Sequence, residues 1–183
     1  PPAFTSIAIT TATEDITYTY MATASDIDNG NNLTFAAPTL PGWSTFDPQT
    51  RVLSGTPTDN DNGEHPIVLT VSDGTTSIEQ SFTITAFNVN DPPAFTSTAS
   101  TTATEDVSYT YTAEASDIED QDALILSAPT LPGWLTFDTA TRVMSGTPTN
   151  SDVGHHSVIL TVNDKTDTTE QSFTIMVSNV NDP

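Results

Sequence analysis

The chain consists of two copies of one sequence unit, and this repeat limits the possible folds more than any other feature. Leu40–Trp43 recurs as Leu131–Trp134, a shift of 91 positions, and the two copies align at this shift without a gap. Similarity at a fixed period indicates repeated structural units. We therefore expect two domains, 1–91 and 92–183, each close to the size of a small β-sandwich.

Within each copy, the residue pattern predicts short β-strands. Thr, Val, Ile and aromatic residues alternate with polar residues, and clusters of Asp, Asn, Pro and Gly separate the runs. The pattern predicts an all-β fold of two tandem, seven-stranded Greek-key β-sandwiches. In the first copy the predicted strands include Ala3–Thr11, Leu33–Ala36, Trp43–Phe46 and Arg51–Ser54. Three more strands are predicted from residues that share one face, namely Ile16, Tyr18 and Tyr20; Ile67, Leu69 and Val71; and Phe82, Ile84 and Ala86. Val107, Tyr109 and Tyr111 are predicted to share a face in the second copy.

The charge composition excludes several classes of partner. The chain has 3 Lys and Arg against 24 Asp and Glu, a formal net charge of -21, so it lacks the basic residues that bind nucleic acid or an anionic membrane surface. It has no cysteine, and no apolar run long enough to predict membrane insertion. A cation partner and an extracellular, cell-surface or secreted location are expected, in a piece of a longer protein.

The acidic residues are predicted to gather at the two ends of each sandwich. If each strand crosses the sandwich once, successive loops alternate between the two ends, and the segment Asn88–Asp91 joins the end of the first repeat to the start of the second. Oxygen-bearing side chains of both repeats are then expected near this junction. They are Glu14, Asp61, Asn90 and Asp91 from the first repeat and Asp117, Glu119 and Asp164 from the second, with Asp120 and Asp122 nearby.

These side chains suit calcium better than other metals. Carboxylates crowded together repel one another unless a cation lies among them, and Ca²⁺ accepts six to eight oxygen ligands in loose geometry. Zinc favours His and Cys ligands, which this set lacks. The alternative is that the acids are solvated turn residues. The sequence predicts a calcium site at the junction.

Several motifs resemble those of a known family. Asn90–Pro93 resembles the linker of cadherin repeats, Ala24–Asp28 their paired-aspartate motif and Val71–Asp73 their third acidic motif. Leu40–Trp43 with Gly55–Thr58 resembles the dystroglycan-type cadherin-like repeats of large bacterial surface and secreted proteins. The resemblance covers both copies and implies a bacterial, extracellular, calcium-binding protein.

The resemblance also implies individual ligands. Asn88 stands where cadherins usually carry Asp, Val89 would contribute its carbonyl, and Asp61 or Asp59 would replace the acid of a cadherin motif that is absent here. The implied junction ligands are Glu14, Asn88, Val89, Asn90, Asp91, Asp117, Glu119 and Asp164. The expected half-sites are Asp26, Asp28 and Asp73 for a preceding repeat, and Glu105, Asp152, Asn181 and Asp182 for a following repeat.

The function expected from these features is that of a calcium-stiffened rod of repeats that supports cell adhesion or protein–protein association. Homophilic self-association and polysaccharide binding are the alternative modes of action, and no constellation of residues indicates an enzyme. Trp43 and Trp134 could stack on a sugar but are predicted to fill the core.

Two further groups of residues are given structural interpretations. Arg51 and Arg142 hold the same repeat position, and each is predicted to pair with a local carboxylate such as Asp47 or Asp138. The histidines could form a zinc site with Asp152 but are predicted to be solvated loop residues; they are His65, His155 and His156.

Overall fold

The computed structural model describes residues 1–28, 32–119 and 124–181. The chain forms two compact units, Pro1–Val89 and Asn90–Pro183, and each has its own hydrophobic core. Every regular element in the described residues is a β-strand, apart from one three-residue 3₁₀ helix in each unit. The predicted all-β class of two tandem β-sandwiches is confirmed.

Unit 1 contains nine strands among its described residues. One sheet has the order β2-β9-β8-β5, a second has the order β3-β7-β6, and β1 pairs with β4. Its 3₁₀ helix spans Asp59–Asp61. The strands are Ala3–Phe4 (β1), Thr11–Thr13 (β2), Tyr18–Met21 (β3), Ala24–Ser25 (β4), Thr34–Thr39 (β5), Ser44–Asp47 (β6), Val52–Gly55 (β7), Gly63–Ser72 (β8) and Ser77–Phe87 (β9).

Unit 2 repeats this arrangement. Its sheets have the orders β11-β18-β17-β14 and β12-β16-β15, with β10 paired to β13. Its 3₁₀ helix spans Asn150–Asp152. The strands are Ala94–Phe95 (β10), Thr102–Thr104 (β11), Tyr109–Thr112 (β12), Ala115–Ser116 (β13), Ile125–Thr130 (β14), Leu135–Asp138 (β15), Val143–Gly146 (β16), Gly154–Asn163 (β17) and Thr168–Ser178 (β18).

Alternation along the long strands builds the cores. Ile67, Leu69 and Val71 of β8 are buried, and so is Ile84 of β9, because alternate residues of a strand face the same side. Burying an aliphatic side chain of this size stabilises the fold by about 1.5–3 kcal/mol. The β8–β9 and β17–β18 hairpins are therefore the central parts of the two units.

The predicted opening strand is interrupted in both units. In unit 1 the chain first pairs with β4 and then runs parallel to β9, so it passes from one sheet to the other between β1 and β2. The Tyr18 hydroxyl donates to the carbonyl of Ile9 and the Gln80 amide to that of Ser6, which replaces the missing ladder bonds. With the second strand divided into β3 and β4, the seven predicted strand regions become nine strands.

The predicted core face at Ile16 is wrong, and so is its counterpart at Val107. Ile16 is 61% exposed and Val107 is 55% exposed, whereas Tyr18 and Tyr20 are buried as predicted. Asp15 and Asp106 have φ values of 58° and 56°, and this left-handed turn places the next residue outside the strand.

Among the described residues, no helix is long and apolar enough to cross a membrane.

Candidate metal centres

The first acidic cluster lies at the end of unit 2 where the chain begins its path through that unit. We call it the amino pole of unit 2, and it surrounds the side chain of Asn90. The Asn90 amide nitrogen donates to Oδ2 of Asp164 and to Oδ2 of Asp167, both at 3.0 Å, and to the carbonyl of Asp91 at 3.1 Å. The amino pole comprises Asn90, Asp91, Asp117, Glu119, Asp164 and Asp167.

Tight turns hold the acids of the amino pole in place. Oδ1 of Asp164 accepts the backbone N–H groups of Thr166 and Asp167, each at 2.6 Å, and Oδ1 of Asp117 accepts that of Glu119 at 2.9 Å. The hydrogen bond from Asn90, followed by those from the backbone, holds the pKa of Asp164 below its ordinary value. Asp117 and Asp164 are both buried, so carboxylates are fixed in positions that ordinarily need a balancing charge.

A cleft gives access to this cluster. It has a volume of about 410 Å³, and its lining includes Asp91, Asp117, Pro92 and Ser116. The backbone N–H of Asp91 donates to Oε2 of Glu119 at 3.4 Å, so the start of the unit is tied to the same acids. This volume is large enough for a hydrated ion.

Unit 1 has an equivalent amino pole, which is formed by Asp26, Asp28 and Asp73. Oδ1 of Asp26 accepts the N–H of Asp28 at 2.7 Å. Backbone N–H donors from Thr76 and Thr75, with the Thr75 hydroxyl, lower the pKa of Asp73 to about 2.

The nitrogen of Pro1 lies 3.6 Å from Oδ2 of Asp26 and 3.7 Å from Oδ2 of Asp28.

The opposite end of unit 1, its carboxyl pole, is organised around Glu14. Glu14 directly precedes the left-handed turn at Asp15, and it is 2% exposed. Oε1 accepts the N–H of Val89, and Oε2 accepts the side-chain amide of Asn62 at 3.1 Å. The same amide also donates to Oδ1 of Asn88 and to the carbonyl of Asp59. Predicted ligands Glu14, Asn88 and Val89 are therefore brought together.

Unit 2 differs at its own carboxyl pole. Glu105 is 1% exposed, and its Oε1 accepts the N–H of Val180, as Glu14 accepts that of Val89. Its Oε2 is buried and has no hydrogen-bond partner among the described residues. The reason is a substitution between the repeats, since Val153 stands where unit 1 has Asn62. This leaves one buried carboxylate oxygen without a donor.

Asp61 and Asp152 cap the 3₁₀ helices. Oδ2 of Asp61 accepts the backbone N–H of Thr58 at 2.9 Å and its hydroxyl at 2.8 Å, and these bonds lower the pKa of Asp61. Asp152 does the same with Thr149. Asp59, the alternative to Asp61, instead has a carboxylate oxygen within 4.8 Å of one of Glu14.

Sequence reasoning missed Asp167 and Asn62. The two repeats differ at both positions: Asp167 replaces the equivalent of Thr76, and Val153 replaces the equivalent of Asn62. A comparison of the two copies at the positions where they differ could have identified both residues. Of the terminal ligands, Asn181 is exposed, and Asp182, like Asp120 and Asp122, lies outside the described residues. The ligand assignments themselves remain predictions.

The tryptophans occupy core positions, as predicted. Trp43 packs against the core of unit 1, edge-to-face with Tyr18 at 6.0 Å and with His65 at 5.7 Å. Trp134 packs in the same way against Tyr109 and His156.

The prediction of solvated loop histidines is wrong in its placement, because all three lie on strands, and only His155 is exposed as predicted. The side chains of His65 on β8 and His156 on β17 are partly buried. His65 donates through Nε2 to the carbonyl of Asp61, and His156 donates in the same way to the carbonyl of Asp152. His155 is exposed, because it points to the other side of β17.

The predicted pairing of Arg51 with Asp47 is not among the ion pairs of the described residues. The guanidinium lies over the ring of Phe35 at 5.2 Å, and the two residues meet instead through the backbone, where the Arg51 N–H donates to the Asp47 carbonyl. Arg142 likewise contributes a backbone contact, accepting the N–H of Ala113 through its carbonyl.

The fold and these poles define an immunoglobulin-like, cadherin-like tandem β-sandwich. The chain belongs to the family described as Putative Ig domain, whose model matches residues 1–87 and again 92–178. None of the curated protein sequences matches it.

Solved structures of a protocadherin and a cadherin show the same fold. Human protocadherin-24 EC1-2 is 18% identical with a TM-score of 0.55, and the match covers 98% of this chain and 99% of that one. Mouse cadherin-23 EC22-24 is 17% identical with a TM-score of 0.54, covering 98% and 66%. An endo-fucoidan hydrolase of glycoside hydrolase family 107 is 27% identical with a TM-score of 0.46, and the chain spans 29% of its length.

Proposed function

We propose that the chain is a pair of extracellular calcium-binding repeats, and that the amino pole of unit 2 holds an ion. The observation that carries this proposal is the Asn90 amide lying 3.0 Å from the carboxylates of both Asp164 and Asp167. Two carboxylates that converge on one point repel each other unless positive charge lies between them. The N–H groups of the amide supply only a partial positive charge at that point.

The donor set fits calcium. Asp91, Asp117, Glu119 and Asp164 offer carboxylate oxygens, and Asn90 offers an amide oxygen if its side chain turns over. That turn replaces hydrogen-bond donation with an oxygen directed at the acids, which is favourable when a cation balances them. Calcium accepts such mixed oxygen ligands in irregular geometry, whereas magnesium requires a closer octahedron.

The ion would act on the segment that connects the repeats. Val89 is tied to Glu14 of unit 1, and Asn90 and Asp91 are tied to acids of unit 2. A cation bound by those acids would restrain Asn90 and Asp91 further. We infer that calcium stiffens a multi-repeat array in this way, and that the array supports adhesion or protein association at a cell surface.

Calorimetric titration of calcium into the whole chain tests the ion assignment. Asp164→Asn and Asp117→Asn are expected to weaken binding by about tenfold or more from the ~0.1–1 mM range of extracellular modules. Asp138→Asn is the matched control, because Asp138 holds a similar turn through the N–H of Ala140 but is not one of the amino-pole residues. Equal losses in all three variants, or no binding by the unsubstituted chain, would remove the assignment.

Small-angle X-ray scattering in calcium and in EDTA tests the stiffening. The distribution of interatomic distances should broaden in EDTA for the unsubstituted chain and for Asp138→Asn. Asp164→Asn should show the broad distribution under both conditions. Identical profiles of the unsubstituted chain in calcium and EDTA would exclude stiffening even if calcium binds.

A further inference from the structure

The carboxyl poles of the two units differ in a way that bears on how each unit responds to calcium. Both poles bury one glutamate, Glu14 or Glu105, and both glutamates accept a backbone N–H through Oε1. The difference is at Oε2. In unit 1 this oxygen accepts the amide of Asn62, and in unit 2 it has no partner among the described residues.

A single repeat position explains the difference. Asn62 follows the 3₁₀ helix of unit 1, and its amide links Glu14, Asn88 and the carbonyl of Asp59. Val153 follows the 3₁₀ helix of unit 2 and carries no hydrogen-bond donor in its side chain. Val153 is 40% exposed, so the position has room for a polar side chain.

A buried carboxylate oxygen without a donor is unfavourable, and a cation or a hydrogen-bond donor relieves the cost. We propose that the residue at this position sets how strongly a carboxyl pole depends on a bound cation. The Asn62 amide gives Glu14 a donor that lowers this dependence, whereas Val153 leaves Oε2 of Glu105 without one. This inference rests on the proposed calcium function and extends it to unequal calcium dependence of the two units.

Hydrogen exchange of the full chain, followed by mass spectrometry, measures each unit separately. Peptides from the β8–β9 hairpin report the opening of unit 1, and peptides from the β17–β18 hairpin report that of unit 2. The measured quantity is the gain in protection between EDTA and about 10 mM calcium. That gain is about tenfold for an ion bound at about 1 mM by the folded unit alone.

Reciprocal substitutions provide matched controls. Val153→Asn should raise the protection of unit 2 in EDTA by about fivefold or more and should reduce its calcium gain. Asn62→Val should lower the protection of unit 1 in EDTA and should increase its calcium gain. Glu105→Gln should also reduce the calcium gain of unit 2. Ions bound at the amino poles contribute equally to the calcium gain of all these proteins, so they do not affect the differences between variants.

The outcomes separate this inference from the proposed function. If the unsubstituted chain gains protection in calcium and neither Val153→Asn nor Glu105→Gln changes that gain, this inference is overturned and the calcium function stands. If none of these proteins gains protection in calcium, ion binding is excluded at the amino poles and at the carboxyl poles. A Val153→Asn protein that is no better protected in EDTA contradicts the role of the amide. That result stands even if Asn62→Val fails to fold, because Val153→Asn adds a donor at a partly exposed position.

Discussion

Replacement of Glu14 by Ala gives the sharpest test of how the carboxyl pole is held together. The substitution removes the acceptor of two hydrogen bonds, one from the Val89 backbone and one from the Asn62 amide. Hydrogen bonds to a charged group contribute about 1.5–3 kcal/mol each. We therefore expect Glu14→Ala to lower the free energy of unfolding of unit 1 by about 3–6 kcal/mol.

The equivalent change in unit 2 should cost much less. Glu105→Ala removes one such hydrogen bond, from Val180, and at the same time removes the buried oxygen that has no donor among the described residues. The loss of about 1.5–3 kcal/mol is offset by about 1–3 kcal/mol of relieved desolvation. The expected net cost in EDTA is therefore between about −1.5 and 2 kcal/mol.

Urea unfolding followed by tryptophan fluorescence measures both costs. Each unit contains one of the chain's 2 tryptophans, so Trp134→Phe leaves Trp43 as the reporter of unit 1, and Trp43→Phe leaves Trp134 as the reporter of unit 2. The experiment is done in EDTA, so that the comparison does not depend on the proposed ion. Equal destabilisation of the two units would refute the reasoning, because it would mean that the Asn62 contact contributes nothing.

The remaining predictions concern the frame and its titration. A Cβ at Gly55 would lie 2.1 Å from the carbonyl oxygen of Trp43, whereas one at Gly42 meets nothing within 4 Å. Gly55→Ala should therefore lower the free energy of unfolding by about 1–3 kcal/mol or more, and similar urea midpoints for Gly55→Ala and Gly42→Ala would contradict this. Burial raises the pKa of Tyr109 to about 12. In a spectrophotometric titration it should therefore ionise at a higher pH than a free tyrosine, and ionisation near pH ~10 would show it to be exposed. The pKa of Asp73 is about 2 because backbone and hydroxyl groups donate to it, below the unfolded value of about 3.9. Its contribution to stability is present above pH ~4 and is lost as the pH falls towards 2, so Asp73→Asn should flatten this part of the stability profile, and an unchanged profile would contradict the assignment.

The general architecture could be predicted from the sequence because it depends on features that are local or repeated. The alternation at Ile67, Leu69 and Val71 specifies a strand with one buried face whatever its neighbours are, and all three are buried. The repeat itself predicts two similar units. The interruption between β1 and β2 could not be predicted, because it depends on donors that are distant in sequence, Tyr18 and Gln80.

Residue type and spacing alone indicated that acids gather at the ends of the sandwiches, since turns connect strands and the turns of this chain carry Asp and Asn. The roles of individual acids depended on tertiary contacts. Asp61 was an expected ligand, yet its carboxylate binds Thr58, while Asp59 lies beside Glu14. The two side chains are separated by one residue, and only the path of the 3₁₀ helix determines which of them faces the pole.

By itself, the sequence determined the strand class, the duplication, and an excess of negative charge that favours a cation, because composition and period need no knowledge of neighbours. The tertiary structure decided that Glu14 receives the Asn62 amide, that Glu105 receives no equivalent donor among the described residues, and that Asn90 lies between Asp164 and Asp167. These contacts join residues far apart in sequence, and their energies depend on burial and direction, which arise only when the sheets have packed.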